Sequence, residues 1–264
     1  MFIKSRLKPL AKKRLGQHFL NSIYIARKIV NFADIKEEVV IEIGAGKGML
    51  TRELAKKARI VYAVEIDPEC ATILKDKALN NVKIINADFL DLNLKEYAGS
   101  VIVGNIPYSI TTKIIEKLVK DRESFQKAFL TIQKEYGERL LAQPGSTGYS
   151  SITCYVNYYF NVFKGFVIPP SFFSPAPKVS SIVIGLMHKE PPFLLDDEIE
   201  FFNFIKGIFR YRRKILKNAL INYFGSLLVE LSHPILYKRP EQLHLNDFFN
   251  LYKDLKSIEK FKEQ

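Results

Sequence analysis

The residues Asn105-Ile106-Pro107-Tyr108 follow directly on a β-type run, Ser100-Val101-Ile102-Val103-Gly104, and combine an amide side chain, a proline-rigidified backbone and an aromatic ring. These groups suit the amino group of a nucleobase. The amine of adenine is a poor nucleophile because its lone pair is delocalised into the ring. An Asn side-chain oxygen and a backbone carbonyl near the proline can each accept one of its hydrogens and localise that lone pair toward an electrophile. Acceptors fixed in advance need no reorganisation during reaction. The Tyr ring offers a face for an extruded base, and Pro107 fixes its own φ and removes a ladder donor, as suits a rigid strand end. Taken alone, Asn-x-Pro is also a common turn signal, so the assignment depends on what precedes it.

Three earlier segments supply that context. Val39-Val40-Ile41 runs into Glu42-Ile43-Gly44-Ala45-Gly46-Lys47-Gly48 and then a helical pattern. Such glycines allow a sharp turn and close approach of a ligand at the carboxyl end of a sheet. The spacing lacks the final x-x-Gly of the dinucleotide fingerprint and the Lys-Ser/Thr of a phosphate-binding loop, so the segment suits another adenosine-bearing cofactor. Tyr62-Ala63-Val64-Glu65-Ile66-Asp67 then places an acid about twenty residues on, where a carboxylate can grip both ribose hydroxyls. Asn86-Ala87-Asp88-Phe89 closes a third run, with Asp88 able to accept from an adenine amine and Phe89 able to flank the ring.

The elements that must position these residues alternate. Short β-branched runs at Val39–Ile43, Ile60–Ile66, Val82–Asn86, Val101–Gly104 and Ala128–Gln133 are separated by helical patterns, the signature of a doubly wound α/β sheet. Cys154–Ile168 and Ser181–Met187 are expected as two further strands, joined by a Pro-rich loop as an antiparallel pair. His188–Asp197, with Pro191-Pro192 and a switch to acidic residues, marks a linker. Phe201–Phe224 and Gln242–Ile258 carry helical periodicity. The expected organisation is a catalytic α/β domain over 1–188 and a small all-helical domain over 189–264.

Across 264 residues, 40 Lys and Arg against 28 Asp and Glu give a formal charge of +12, which favours a polyanionic partner. The basic residues cluster: Lys4 to Arg14 and Lys206 to Lys217 contain no acid. Two cysteines, Cys70 and Cys154, make neither a disulfide framework nor a zinc constellation and suit a reducing cytoplasm. His18, His188, His233 and His244 show no metal or triad spacing. Neither a signal-peptide core nor a bilayer-length apolar run is present, so a cytoplasmic protein without a membrane segment is expected.

With these residues in hand, nearly the whole chain resembles the ribosomal RNA adenine dimethyltransferases, whose members act on the small subunit or, as macrolide-resistance methylases, on the large. Leu15-Gly16-Gln17-His18-Phe19-Leu20-Asn21 resembles the family's segment folding over S-adenosylmethionine, and Glu42 to Gly48 its cofactor loop. The resemblance implies a Rossmann-like class I methyltransferase sheet. It also implies a cofactor set of Gln17, His18, Leu20, Gly44, Gly46, Glu65, Ile66, Asp88, Phe89 and Asn105, and catalytic residues Asn105, Pro107 and Tyr108. Ser171 to Ser181 resembles the target-base loop, with Phe173 packing on a flipped adenine. Two positions depart from the pattern: His18, where Asn is frequent, and Ala45, where Pro or Gly is common. Phe209 to Leu220 and Arg239-Pro240-Glu241-Gln242-Leu243 look like the small-subunit branch. The expected function is thus N6,N6-dimethylation of adenines, two of them adjacent, in the 3′-terminal hairpin of small-subunit rRNA, linked to ribosome assembly. Arg210, Arg212, Arg213 and Lys214, at helical spacing, are expected to meet phosphates. A monomer would suit a partner as large as an immature small-subunit particle. The competing expectations are a large-subunit methylase, a non-catalytic RNA-binding assembly factor, and methylation of DNA adenine.

Overall fold

The structure is a computed structural model, and it describes residues 16–76, 79–225 and 234–257. The basic run Lys4–Arg14, together with Leu15, His233 and Ile258, lies outside the described residues.

A two-residue strand β1 (Phe19–Leu20) precedes α1 (Ile23–Ala33), which starts at Ser22, whose side chain accepts from the Ile25 N–H. There follow β2 (Val39–Ile43), α2 (Met49–Leu54), β3 (Ile60–Val64), α3 (Pro68–Asp76), β4 (Val82–Ile85), β5 (Ser100–Asn105), α4 (Thr111–Lys120), β6 (Phe125–Gln133) and α5 (Lys134–Leu140). The strands run as near-continuous β-branched segments because helices cover both faces of a parallel sheet. Val40, Ile41, Val61, Ala63, Val101, Ile102 and Val103 are accordingly all buried.

The seven-stranded sheet has the order β4-β3-β2-β5-β6-β9-β7, where β7 is Phe160–Ile168 and β9 is Ser181–His188. Strands β4, β3, β2, β5 and β6 pair in parallel, and β9 pairs antiparallel with β6. The chain moves outward from β2 through β3 to β4, then crosses to β5 on the other side of β2. That reversal opens a crevice at the carboxyl ends of β2 and β5, the place where open α/β sheets bind ligands. Beside the main sheet, β1 pairs antiparallel with β8 (Phe173–Ser174), Phe19 opposite Ser174 and Leu20 opposite Phe173.

One strand expectation is corrected. The segment from Cys154 begins as a helix, α6 (Ser151–Tyr159), and becomes strand only at Phe160. Ser150 and Thr153 form a capping box that starts the helix, and Cys154, Val156 and Tyr158 are buried along it. A β-branched and aromatic composition favours strand locally; the cap and the apolar packing override it.

The chain divides into two compact units, one running to Gly137 with Asn161–His188, the other comprising Glu138–Phe160 with the residues from Lys189 onward. Residues 138–160, expected with the catalytic domain, therefore fall with the helical unit. That unit contains α6, α7 (Glu198–Phe209), α8 (Leu216–Phe224) and α9 (Leu245–Ser257). Its core unites Tyr149 and Cys154 with Phe201, Phe204, Phe248 and Leu251. A Cβ on Gly207 would lie 2.1 Å from the Tyr223 ring, so the close approach of α7 to α8 requires glycine there.

Candidate functional site

Each of the four strand ends singled out from the sequence contributes to one cavity of about 260 Å³ in the first unit. Gly44 and Gly46 come from the turn after β2, Glu65 and Ile66 from the end of β3, Asp88 and Phe89 from the end of β4, and Asn105, Pro107 and Tyr108 from the end of β5. Gln17, His18 and Phe173 line it as well. Leu20 does not: its side chain packs in the core of the first unit, because opposite Phe173 in the β1–β8 ladder it faces apolar neighbours.

The turn after β2 is shaped by glycines with φ of +69° at Gly44 and +55° at Gly46. A Cβ on Gly46 would come within 2.9 Å of the Phe19 ring, so both backbone and space exclude a side chain. The Gly46 N–H donates to Glu65 Oε2 at 2.7 Å, and the Asp67 N–H donates to Glu65 Oε1 at 2.8 Å. Strand β3 stops at Val64 because the Glu65 carboxylate turns back to take these two donors. Burial pushes the Glu65 carboxyl above the ordinary carboxylate range, opposed by the two backbone donors. Both oxygens are thereby fixed, each with a further lone pair for an incoming hydroxyl.

Asp88 Oδ1 accepts from the Leu90 N–H at 2.9 Å, leaving Oδ2 for another donor, and the adjacent Phe89 ring is 4% exposed. A pair of fixed carboxylate oxygens, a second carboxylate and a flanking ring fit the ribose and adenine of an adenosine-bearing group.

At the end of β5, Asn105 sits opposite Thr131, and the Ile106 N–H donates to the Thr131 carbonyl at 2.9 Å. The Asn105 Nδ2 donates to the His18 carbonyl at 2.9 Å, which orients the amide and leaves Oδ1 as the acceptor. Within the tetrad the Pro107 carbonyl already accepts from the Ile110 N–H at 3.2 Å and from the Thr111 hydroxyl at 3.4 Å. The Ile106 carbonyl has no donor among the described residues, so it is the second acceptor the tetrad can offer. Tyr108 donates or accepts a 2.8 Å hydrogen bond with the buried Ser181, and burial raises its phenol above the ordinary range.

Several residues in or near the site make contacts that the sequence did not assign to them. Asp67 accepts from Gln17 Nε2 at 3.3 Å and caps α3 through the Glu69 N–H at 3.1 Å; the Asp-Pro pair before a helix was the available signal. Ser181 closes the target-base segment, but its contact with Tyr108, 73 residues away, has no local signal. Glu42, buried in β2, is outside the cavity lining, and its Oε2 has no partner among the described residues. Desolvation pushes its carboxyl up to about 8, with Thr51 opposing and Glu65 reinforcing the rise.

Arg210, Arg212, Arg213 and Lys214 are exposed, but they lie in the turn between α7 and α8 and not on a helix face. Helix α7 ends at Phe209 and α8 starts only at Leu216, so consecutive cations fan out from a turn. The Arg212 guanidinium reaches the Thr147 carbonyl at 3.5 Å, and Lys214 Nζ reaches Asn222 Oδ1 at 3.2 Å.

A five-stranded parallel sheet extended by an antiparallel β9 and then β7, with acids and an Asn-Ile-Pro-Tyr tetrad at successive strand ends, defines a Rossmann-like class I methyltransferase. Residues 9–254 match the family described as ribosomal RNA adenine dimethylase, and the chain belongs to that family. It is an enzyme, and its methyl donor is S-adenosylmethionine.

Ribosomal RNA small subunit methyltransferase A of Mesomycoplasma hyopneumoniae (strain 232) is 39% identical over 250 residues, 92% of this chain and 96% of its own length. The protein of the same description from Staphylococcus aureus (strain JH9) is 38% identical over 268 residues, 94% of this chain and 90% of its own. Among solved structures, a dimethyladenosine transferase from Plasmodium falciparum aligns with TM-score 0.77 at 29% identity, covering 91% of this chain and 98% of that one. The 23S rRNA methyltransferase ErmE aligns with TM-score 0.68 at 26% identity, covering 88% and 98%.

Proposed function

We propose that this chain dimethylates the N6 amines of adenines, two of them adjacent, in the 3′-terminal hairpin of small-subunit rRNA, acting as a cytoplasmic monomer during ribosome assembly. The relatives named for the small subunit, at 38 to 39% identity over more than nine-tenths of the chain, support the choice of subunit. The observation that carries the chemistry is the pair of acceptors, Asn105 Oδ1 and the Ile106 carbonyl, that meet no donor among the described residues and lie beside Tyr108.

When bound, S-adenosylmethionine supplies an electrophilic methyl group. Glu65 would accept from its ribose hydroxyls and Asp88 from its adenine amine, with Gly44 and Gly46 leaving room for close approach. On the acceptor side, Tyr108 and Phe173 hold the extruded adenine by its faces; unstacking costs least in a loop or hairpin end. Asn105 Oδ1 and the Ile106 carbonyl take the two amine hydrogens and turn the lone pair out of the ring plane. No general base is needed in the transition state, since the alkylated ammonium is acidic enough to lose its proton to water afterwards. The protein's contribution is positioning and fixed electrostatics. A monomethylated amine still has one hydrogen and a lone pair, so the same acceptors serve a second transfer.

The exposed cations of the α7–α8 turn provide phosphate contacts. The reading is tested by incubating the protein with methyl-labelled cofactor and, separately, undermethylated small subunits, large subunits and DNA. Label in the small-subunit RNA alone is expected. Label in the large subunit would move the chain to the branch of ErmE, and label in none would leave a binding factor.

A further inference from the structure

The target-base segment is tied to the tetrad at both ends by contacts distant in sequence. Near its start, His18 Nδ1 lies 2.7 Å from the Pro175 carbonyl. A carbonyl carries no proton, so the imidazole must be the donor and its Nδ1 must be protonated. The same ring lies against Tyr108, with centroids 5.6 Å apart and planes 32° apart. At the far end of the segment, Ser181 Oγ holds the Tyr108 hydroxyl at 2.8 Å. Ser181 is fully buried at the start of β9 and paired with Gln133 of β6, so it is a rigid anchor. Phe173, on the other wall, is held in the β1–β8 ladder and is only 3% exposed.

We propose that His18 and Ser181 are positioning residues for the acceptor base: together they set the gap between Tyr108 and Phe173 and the tilt of the Tyr108 ring. His18 bridges the two walls, and Ser181 stops the Tyr108 ring from rotating away. This role differs from the cofactor contact that the family resemblance implied for His18. It rests on the proposal that the base stacks between Tyr108 and Phe173.

The test compares His18→Leu, His18→Asn, His18→Gln, Ser181→Ala and Tyr108→Phe, each checked for an intact thermal transition. Undermethylated small subunits serve as acceptor, and cofactor affinity is measured by calorimetry without RNA. An Asn amide nitrogen sits where imidazole Nδ1 does, whereas that of Gln sits where Nε2 does. His18→Leu and His18→Gln are therefore expected to lower kcat about tenfold to a hundredfold, the scale of a small misplacement of reacting groups. His18→Asn should recover most of the loss, and cofactor Kd should stay within about twofold throughout. Ser181→Ala should cost about as much as Tyr108→Phe, and the double variant no more than either alone. Loss of cofactor affinity in step with kcat, rescue by Gln in place of Asn, full activity in His18→Leu, or additive losses at Ser181 and Tyr108 would overturn the proposal. Tyr108→Ala separates the two claims. If it retains full activity, the stacking role itself fails; if it is inactive while His18→Leu and Ser181→Ala are normal, only the positioning role fails.

Discussion

The two halves of the cavity are built in different ways. On the cofactor side, Glu65 is held by the Gly46 and Asp67 N–H groups, 19 and 2 residues away, and Asp88 by the Leu90 N–H two residues on. The partners are backbone groups at strand ends, placed by the parallel register itself. On the acceptor side, Asn105 is oriented by His18 at a separation of 87 residues, Pro175 is held by His18 at 157, and Tyr108 by Ser181 at 73. Those partners are brought together by the pairing of distant strands, β9 with β6 and β8 with β1. The cofactor half is therefore a local property of a βα turn repeated along a sheet edge. The acceptor half depends on the tertiary fold.

This difference predicts that the halves can be broken separately. The largest effect is expected for Asn105→Ala, which removes a fixed acceptor from the amine: methyl transfer should fall by about a hundredfold to a thousandfold or more, while calorimetry still detects cofactor binding. Equal loss of both would merge the two halves. Next, Glu65→Gln should weaken cofactor binding by roughly ten- to a hundredfold, the scale of a hydrogen bond to a charged group. The acceptor KM should be unmoved; a change confined to that KM would relocate the ribose site.

Glu42 gives a smaller effect, on stability. Its folded pKa of about 8 lies above the ordinary value of 4.5, so between those pH values the folded chain keeps a proton that the unfolded chain has released. Stability then falls as pH rises through this window, by up to about 1.4 kcal/mol per unit from this group. Denaturant melts of Glu42→Gln should show a flatter profile between pH 5 and 8, and an unchanged slope would remove Glu42 as its source. The smallest effect is expected in the α7–α8 turn. Replacing Arg212 and Arg213 by Ala should reduce the slope of log affinity against log salt for rRNA by up to about 0.7–0.9 for each phosphate that the turn no longer neutralises. An unaltered slope would make the turn structural.

The same contrast explains what the sequence revealed. The strand ends of β2, β3, β4 and β5 were legible because β-branched runs and the residues that stop them are neighbours in the chain. Glu65, Asp88 and Asn105 could be placed on one edge from spacing alone. Cys154–Tyr159 reads as strand in the sequence because its helix depends on a Ser150–Thr153 cap and on burial against distant aromatics. The cations at 210–214 suggest a helix face because nothing local shows that α7 stops at Phe209. Leu20 looks like part of a cofactor segment, but its pairing with Phe173, far along the chain, turns it into the core. The contact of Ser181 with Tyr108 was not legible for the same reason.

The most direct test of the account is the nucleoside composition of small-subunit RNA after incubation with S-adenosylmethionine and either the wild-type chain or Asn105→Ala. The wild type is predicted to produce N6-methyladenosine that converts to N6,N6-dimethyladenosine, and Asn105→Ala neither. Methylation at any other adenine atom, or dimethyladenosine formed at the wild-type rate by Asn105→Ala, would contradict the account.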